Sequence, residues 1–308
     1  MKNVVIIGGG HGLSTILKGI KSIRGIKISA IVTVADDGGS TGRIRQRYTI
    51  PAMGDIRNVM LALSDNEPIL QNLMNYRFEG ADNMDIAGHS LGNLILTALT
   101  NQIGSFDEAI KLVSKLLHVK GDIIPSTLQY TTLFAKMDDG TVVKGEHNIP
   151  SFNHNIVSVF YKKKVVANPK AIEAINKADL IIYGIGSLYT SILPNTIIKG
   201  ISQALNETKA KKVYLCNCMT QSNETYNYDL KDHIDALKKH HTPVDLVVMH
   251  SNKIPQEILD RYLKSSSIEI IDNGNSGKEV KRFNLLKFDD GLVRHDSKKI
   301  KKLVESLL

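Results

Sequence analysis

Glycines, carboxylates and hydroxyls follow the apolar runs of this 308-residue chain, at the positions where strands of a sheet would end. The first apolar run, Val4 to Ile7, leads into the loop 8–12 (G-G-G-H-G) and then into a helical pattern. This order favours a bound phosphate, because free N–H groups and the positive end of a helix dipole face the anion. A tight turn without a ligand is the alternative, and His11 either donates to a phosphate or caps the turn. The candidate ligand residues of this loop are Gly9, Gly10, His11, Gly12 and Leu13.

A second loop, Ala35 to Arg43, carries two carboxylates, two glycines, a serine and an arginine after the strand-like run Ile28–Val34. An acidic residue after a second strand often binds ribose hydroxyls, and two carboxylates could instead hold Mg²⁺. The guanidinium group of Arg43 matches the geometry of a phosphate. A plain acidic turn is the alternative. The candidate ligand residues here are Asp36, Asp37, Gly38, Gly39, Ser40 and Arg43.

A third stretch, Gly54 to Asn58, places an acid, a base and an amide together where a helical pattern begins. Asp55 could serve only as a helix cap. We consider it the best candidate for a metal ligand, with Mg²⁺ as the possible cation, or for a hydroxyl acceptor. Asn58 is predicted to line the same pocket.

The stretch Gly88 to Asn93 opens a further helical pattern. His89 titrates near neutrality and is either a general acid or base or a structural histidine. The neighbouring Ser90 raises the possibility of a hydrolase, but the surrounding sequence is not Gly-x-Ser-x-Gly and nothing else fixes a triad. His89 and Asn93 are the candidate ligand residues of this stretch.

Two later loops repeat the pattern after the apolar runs Leu180–Tyr183 and Val213–Cys218. Their hydroxyls and amide groups suit a phosphate or a sugar. Because ligands bind beyond the carboxyl ends of parallel strands, all these loops are predicted to form one site for a small, polyhydroxylated, phosphorylated ligand, such as a nucleotide or nucleotide sugar. The candidate ligand residues of the later loops are Gly186, Ser187, Tyr189, Thr190, Asn195, Asn217 and Thr220.

Strand-like runs and helical patterns alternate along the chain, which predicts an α/β fold: a Rossmann-like, doubly wound, mostly parallel sheet with a small β-rich insertion. We expect residues 1–308 to form a single domain, with a β-rich subdomain at 127–167 that contains a hairpin turning at Asp138-Asp139-Gly140 and short β pieces at Val157–Tyr161 and Val165-Val166. The predicted helices are Ser14–Ile23, Asp55–Leu63, Leu91–Leu99, Phe106–Leu117 capped by Ser105, Pro169–Lys177, Asn195–Leu205, Asp229–His240 and Pro255–Leu263. The predicted strands also include Val244–Met249.

The composition of the sequence argues against several classes of binding partner. The net charge of +8 is diffuse, without a long basic arm or an aromatic-rich basic patch, so nucleic-acid binding is not expected. The two cysteines, Cys216 and Cys218, are predicted to be buried thiols, because a zinc site would need two more soft ligands. No apolar stretch is long enough to predict a membrane span, and the N-terminus does not match a signal peptide. We expect a cytoplasmic protein and a homo-oligomer, such as a dimer.

Taken together, these stretches resemble the CofD-like family, and within it the branch of YvcK-type gluconeogenesis factors. The resembling segments run in order along nearly the whole chain, with His295-Asp296 near the end. They are Gly8–Leu13, Ile31–Arg45, Gly54–Asn58, Gly88–Leu94, Gly186–Asn195 and Tyr214–Thr225.

The function that the resemblance implies depends on the branch of the family. Enzymes of the family transfer a phospholactyl group from a nucleotide-activated donor to a deazaflavin alcohol, with Mg²⁺. The YvcK-type branch is associated with growth on gluconeogenic carbon sources and with cell shape; its members bind UDP-sugars such as UDP-N-acetylglucosamine, with no settled reaction. The resemblance therefore implies a UDP-sugar-binding regulatory protein without assigned catalytic residues. A Mg²⁺-dependent 2-phospho-L-lactate transferase-type enzyme is the alternative, and the imperfect glycine pattern argues against an NAD(P)-binding dehydrogenase.

Under the regulatory reading, the first glycine loop and Gly186-Ser187 hold phosphates, Arg43 pairs with a phosphate, and Asp36 or Asp37 binds hydroxyls of the ribose or sugar. The chain departs from the family pattern at three points. His11 replaces a threonine, Ala52-Met53 replaces a Pro-Pro pair before Gly54, and Ile185 replaces a proline between two glycines. The first change could alter phosphate contacts, and the other two should act mainly on backbone stiffness.

Overall fold

Strands with apolar side chains on both sides form the centre of the protein. The computed structural model of the protein describes residues 1–65, 68–80, 86–152 and 154–308. Runs such as Leu180–Tyr183 are buried along their whole length, as expected for strands covered by helices on both faces. The strands of the described residues are β1 (Lys2–Gly8), β2 (Ile26–Val32), β3 (Asp122–Pro125), β4 (Leu133–Met137), β5 (Val142–Lys144), β6 (Ile156–Tyr161), β7 (Leu180–Tyr183), β8 (Lys211–Leu215), β9 (Leu246–His250), β10 (Glu279–Phe283), β11 (Leu286–Asp289) and β12 (Leu292–His295).

One parallel sheet organises the molecule. Seven strands of the described residues pair in the order β10-β9-β8-β7-β1-β2-β3, and every neighbouring pair is parallel. The chain runs from β1 outward to β2 and β3 and later returns to the other side of β1 with β7, so the strand order reverses beside β1. This confirms the predicted α/β, Rossmann-like fold. In open sheets of this kind, ligands bind in the crevice at such a reversal, which here lies at the carboxyl ends of β1 and β7.

Helices cover both faces of this sheet. None of the helices in the described residues combines the length and the apolar character needed to cross a bilayer. In the described residues the α-helices are α1 (Gly10–Ile20), α2 (Gly39–Arg47), α3 (Gly54–Leu63), α4 (Pro68–Asn75), α5 (Leu91–Ile103), α6 (Phe106–Leu116), α7 (Pro169–Asn176), α8 (Leu193–Thr196), α9 (Lys199–Glu207), α10 (Leu230–Lys239), α11 (Gln256–Leu263) and α12 (Ser297–Leu307).

The side chains of β1 alternate between two separate hydrophobic cores. Val4 and Ile6 belong to one core, together with side chains of α1, α3, α5, α6 and α12. Val5 and Ile7 belong to the other, together with side chains of α7, α9, α10 and the strands β4, β5 and β6. Successive residues of a strand point to opposite faces, so this single apolar run anchors both helical layers. The loop after β1 is therefore held firmly from both sides.

The β-rich region forms a separate three-stranded antiparallel sheet in which β4 pairs with both β5 and β6. The predicted hairpin is confirmed, and Gly140 in its turn has a φ of 88°. The predicted strand at Val165-Val166 is wrong. The backbone of Val166 is bound instead by the side chains of Gln129 and Thr127, so it does not join a strand ladder. The division of 127–167 into a subdomain stays a prediction, and residue 153 lies outside the described residues.

The helix predicted over Asn195–Leu205 is divided in the structure. A turn of π-helix at Leu188–Ile192 leads into α8, and α9 begins only after Ile198. Ile198 is buried and has an extended backbone, with φ of −69° and ψ of 118°. Its side chain packs inward at the point where the helix axis is interrupted. The apolar periodicity continues through this break, so the sequence pattern could not reveal it.

The two cysteines lie just beyond the end of β8. Both are free and buried, and burial raises the pKa of each thiol to about 12. Because the thiolate is the form that binds metals, protonated thiols of this kind are poor ligands. Cys216 and Cys218 therefore pack as small apolar groups, in agreement with the prediction of buried thiols.

Candidate functional site

The first glycine loop meets the loop after β7 in the crevice beside β1. A methyl group on Gly12 would overlap the carbonyl oxygen of Ile185, and one on Gly9 would overlap the carboxyl group of Asp55. Only glycine permits this close approach of the two loops and of α3. The two glycine segments predicted to hold phosphates therefore lie next to each other, at the position where the strand order reverses.

The N-terminus of α1 offers backbone donors to this crevice. The N–H group of Gly10 donates to the carboxyl group of Asp55, which leaves the N–H groups of His11 and Gly12 at the open end of the helix. The side chain of His11 is exposed. Leu13, in contrast, is fully buried in the core, and its N–H donates to the carbonyl of Gly9 at 3.4 Å. The helix start can thus hold an anion through two N–H groups, while Leu13 anchors the helix.

Asp36 and Asp55 bring two carboxyl groups together on the floor of the crevice. A Cβ atom on Gly54 would lie 3.1 Å from Oδ2 of Asp36, so this carboxyl group reaches the start of the helix that carries Asp55. Burial, and secondly the charge of Asp36, raise the pKa of Asp55 to about 7. Two carboxylates that repel each other are a donor set that fits a hard divalent cation such as Mg²⁺. They equally suit hydroxyl groups.

The rest of the second loop is tied to the β-rich region. The N–H of Gly38 donates to Oδ1 of Asp36 at 2.9 Å, which shapes the turn. Oδ1 of Asp37 accepts from the N–H of His147 at 2.9 Å, so this carboxylate is used in an internal contact. Gly39 begins α2 and is exposed. Asp36 rather than Asp37 is therefore the carboxylate of this loop that faces the crevice.

A buried arginine organises the polar side chains of α3 and α5. Arg57 donates to Oγ of Ser90, to Oδ1 of Asn93 at 3.2 Å and to Oδ1 of Asn58 at 3.0 Å. Burial lowers the pKa of this guanidinium group, and the positive charge of Arg77 adds to the effect. Asn58 and Asn93 were predicted as ligand residues. The structure brings them together through Arg57, a residue that the sequence reasoning left unassigned.

His89 pairs with Ser40 and not with Ser90. Its Nδ1 lies 2.9 Å from Oγ of Ser40, which also accepts from Nδ2 of Asn93 at 3.2 Å. Burial lowers the pKa of His89, and the charges of Arg43, Arg47 and Arg77 lower it further, which favours the neutral form of the ring. Ser90 instead caps α5 by accepting from the N–H of Asn93. The Ser90–His89 dyad of a hydrolase is therefore not formed.

Arg43 lies on the open side of the site. Its side chain is exposed, and Nη2 donates to the carbonyl oxygen of Ala87. Arg43, Arg47 and Arg77 all act on His89, which makes this side of the crevice electropositive. A phosphate is favoured on this side by charge, and Arg43 keeps further N–H donors for it.

The loop after β7 is fixed mainly by amide side chains. The side-chain amide of Asn217 binds both backbone groups of Gly186: its Oδ1 accepts from the N–H at 3.2 Å, and its Nδ2 donates to the carbonyl oxygen at 2.9 Å. Asn195 is fully buried and donates to the carbonyl oxygens of Gly8 and Ser191. These amide side chains hold the backbone around the crevice in place and do not face the crevice themselves. Ser187, which accepts from Nε2 of Gln221 at 2.7 Å, is the hydroxyl at the rim.

Two further predicted ligand residues of these loops are bound internally. The hydroxyl of Tyr189 lies 3.0 Å from that of Tyr228, and its ring is buried in a core. Oγ1 of Thr220 accepts from the N–H of Ile268 at 2.9 Å. Their side chains hold the loops in place. Thr190 donates through Oγ1 to Oε1 of Glu224 at 2.7 Å, at the wall of an adjoining cavity.

Three charged residues at the site were missed by the sequence reasoning. Arg45 is buried and donates to the carbonyls of Asp36 and Thr131, which joins the second loop to the β-rich region. Glu224 is buried and its pKa is raised by that burial. Burial, followed by the charge of Asp36, raises the pKa of Glu146 to about 8. Arg45 could have been noticed as a charge beside Ile44 on a helical face. Glu146 has no local signal, because it reaches the site only through the packing of the β-rich region.

The charged groups give two parts of the crevice different electrostatic character. Arginines near His89 make one part positive, and the carboxyl groups of Asp36, Asp55, Glu146 and Glu224 line another, where Asp55 also meets the N-terminus of α1. An anionic group is favoured in the first part, and a cation or a hydroxyl-rich group in the second. This arrangement matches a ligand that is phosphorylated at one end and polyhydroxylated at the other.

The chain is similar in sequence to a known family and to several bacterial proteins. A family model described as 2-phospho-L-lactate transferase CofD matches residues 4–285. The chain is 44% identical over 312 residues to a gluconeogenesis factor from Bacillus subtilis, covering 99% of this chain and 98% of that protein. It is 41% identical over 311 residues to a gluconeogenesis factor from Halalkalibacterium halodurans, covering 98% and 95%.

A solved structure has the same fold over its full length. The crystal structure of a member of the UPF0052 family from Bacillus halodurans superimposes with a TM-score of 0.94, at 40% identity, and covers 99% of both chains. The family model and these relatives all match nearly the whole sequence, including every loop of the crevice. The chain belongs to the CofD family.

Proposed function

We propose that this protein is a gluconeogenesis factor that binds a nucleotide sugar of the UDP-N-acetylglucosamine type and acts in regulation, supporting growth and cell shape on gluconeogenic carbon sources. One observation carries the proposal: the N-terminus of α1 and the loop at Gly186 meet at the reversal of strand order, with a cationic part on one side and carboxyl groups on the other. The names of the relatives support the role in gluconeogenesis.

The charges of the groups around the crevice suggest where each part of the ligand binds. The diphosphate lies at the N–H groups of His11 and Gly12 and at Ser187, with Arg43 as its charged partner. Asp36 accepts hydroxyls of the ribose, and Asn58, His89 and Asn93 line the adjoining wall. Leu13, Tyr189, Asn195 and Asn217 support these groups through buried contacts and do not touch the ligand with their side chains.

Calorimetric titration with UDP-N-acetylglucosamine, with and without Mg²⁺, tests this proposal. GDP and NAD are the comparison ligands. We expect saturable binding of the UDP-sugar without need for metal, with the sugar recovered intact. Arg43→Ala should weaken binding about tenfold by removing a charged partner of the phosphate, and the exposed Arg24→Ala should leave it unchanged. Unchanged affinity in Arg43→Ala would contradict the placement of the diphosphate.

A second candidate is a Mg²⁺-dependent transferase of the CofD kind, and the Asp36–Asp55 pair favours it. The two carboxyl groups would hold the cation, which would neutralise charge on the phosphates of a bound nucleotide. Asp36 and Asp55 position oxygen donors, and the N–H of Gly10 keeps the carboxyl group of Asp55 oriented. Binding of GDP that requires Mg²⁺ and is lost in Asp55→Ala, without binding of UDP-sugars, would favour this candidate.

We also propose that the protein acts in the cytoplasm as a homo-oligomer, such as a dimer, without nucleic-acid partners. The protonated, buried thiols of Cys216 and Cys218 are compatible with a reducing compartment. Sedimentation velocity at micromolar concentration should give twice the mass of the chain. A monomer at all concentrations would contradict the oligomeric part of this proposal.

A further inference from the structure

We propose that the cavity beside Ser187 receives the sugar ring of the nucleotide sugar, and that Glu146 is the residue that recognises its hydroxyl groups. The inference rests on the proposed function and adds to it a position and a specificity residue for the sugar. It follows from the location of the cavity, the chemistry of its lining and the unpaired carboxyl group of Glu146.

The cavity continues the crevice along the carboxyl edge of the sheet. Its volume is about 500 Å³, and it lies beyond β7 and β8, between the loop at Ser187, the turn at Gln221 to Glu224 and the segment after α11. Ser187 belongs both to this cavity and to the loop that meets α1. A diphosphate at the N-terminus of α1 would therefore direct its sugar towards this space.

The lining is rich in hydroxyl and amide groups. Ser187, Thr190, Thr220, Ser222, Ser265 and Ser267 all contribute to it. Several of these groups are already bound within the protein: Ser267 donates to the carbonyl of Thr220, and Thr190 donates to Glu224. They make a polar wall of fixed shape, which is suited to a hydrophilic ring rather than to an apolar one.

Glu146 is the carboxyl group in this wall that is free to bind a ligand. Within the described residues it has no hydrogen bond or ion pair. Glu224, by comparison, accepts from Oγ1 of Thr190 at 2.7 Å and from the N–H of Tyr189 at 3.3 Å, so its oxygens are occupied. A half-buried carboxyl group without a partner is satisfied when it binds the hydroxyls of a ligand.

The charges around Glu146 select the sugar end of the ligand. Burial raises its pKa most, and the negative charges of Asp36, Glu224, Asp55 and Asp37 raise it further. Such surroundings repel a phosphate and accept hydrogen bonds from neutral hydroxyls. The diphosphate is thereby excluded from the cavity, and the ring is favoured in it.

The ratio of the affinities for UDP-N-acetylglucosamine and UDP tests this inference, because effects on the phosphates cancel in it. Calorimetry would compare the wild-type protein with Glu146→Ala, Glu146→Gln, the cavity-filling Ser222→Phe, and the control Glu207→Ala on the exposed end of α9. We expect the ratio to fall about tenfold in Glu146→Ala and Ser222→Phe. It should be largely retained in Glu146→Gln, whose amide can still bind hydroxyls, and unchanged in Glu207→Ala.

The outcomes separate the inference from the function on which it rests. Binding of both ligands with a ratio unchanged in Glu146→Ala and Ser222→Phe would overturn the assignment of the cavity and leave nucleotide-sugar binding intact. Failure of the folded wild-type protein to bind either ligand would overturn both. A ratio near one in the wild-type protein would also overturn the inference, since the ring would then make no favourable contact.

Discussion

The carboxyl group of Asp55 links the stability of the protein to pH. Burial and Asp36 raise its pKa from 3.8 to about 7. Between these two pH values the folded protein binds more protons than the unfolded chain, so the contribution of Asp55 to stability is full below pH 3.8 and is lost as pH rises through about 7.

Asp55→Asn should therefore stabilise the protein by about 2 kcal/mol at pH 8.5 and leave it nearly unchanged at pH 4. The amide oxygen can still accept from the N–H of Gly10, so the local geometry is retained. Urea unfolding at the two pH values, without divalent cations, measures the difference. Asp260→Asn on the exposed face of α11 is the control. Equal effects of Asp55→Asn at both pH values would contradict the raised pKa of Asp55.

Arg57 is the residue on which the polar side chains of α3 and α5 converge. Arg57→Ala leaves Asn58, Ser90 and Asn93 without their shared donor. Because unpaired buried polar groups are costly, we expect a loss of about 2–4 kcal/mol in the free energy of unfolding, with weaker ligand binding. Arg24→Ala, an exposed arginine, should change stability by less than about 0.5 kcal/mol. Urea denaturation compares the two, and similar values would show that the network adds little.

The helix α1 is the element that connects the site to the rest of the sheet, and it is closely packed at both ends. A methyl group on Gly12 would overlap the carbonyl of Ile185 in the crevice, and one on Gly19 would overlap the carbonyl of Ser297 at the start of α12. These two glycines form a matched pair, since the same substitution creates the same kind of overlap in one helix. Only the first lies at the proposed phosphate position.

Gly12→Ala and Gly19→Ala should both destabilise the protein, by about 1–3 kcal/mol each, because overpacking forces the backbone to move. Gly12→Ala should in addition lower the affinity for UDP-N-acetylglucosamine more than tenfold at a temperature where both variants are folded. Thermal unfolding and calorimetry together give the two quantities. Equal affinities in the two variants would remove the N-terminus of α1 from the binding site.

At the scale of the whole molecule, the positive charge acts at a distance on an anionic ligand. The net charge is +8, and the lysines occur along the whole chain. We expect the affinity for UDP-N-acetylglucosamine to fall as salt is raised from 0.05 to 0.5 M, because screening shortens the reach of this field to a few ångströms (~4 Å at the upper salt concentration). Uridine, which is uncharged, is the control. Equal salt dependence of the two ligands would contradict a cationic phosphate position.

The class of fold and the regions of the candidate site are predictable from local features of the sequence. Apolar runs such as Val4 to Ile7, alternating with helical patterns, predict a parallel sheet, and the loops after those runs are the ones that form the crevice. These features are local: a buried strand needs apolar side chains on both faces, and a close loop needs glycine. The phosphate-binding character of the first loop was predicted for the same reason.

Long-range packing sets which side chains face the crevice. Tyr189 and Asn195 lie in the helical turns that follow β7, but their side chains make buried contacts. Glu146 reaches the site from the β-rich region, more than 100 residues from the first loop. The pairing of His89 with Ser40 likewise joins the segment before α5 to the distant helix α2. Side-chain direction and long-range packing depend on how the layers settle against one another, and no pattern within a single segment contains that information.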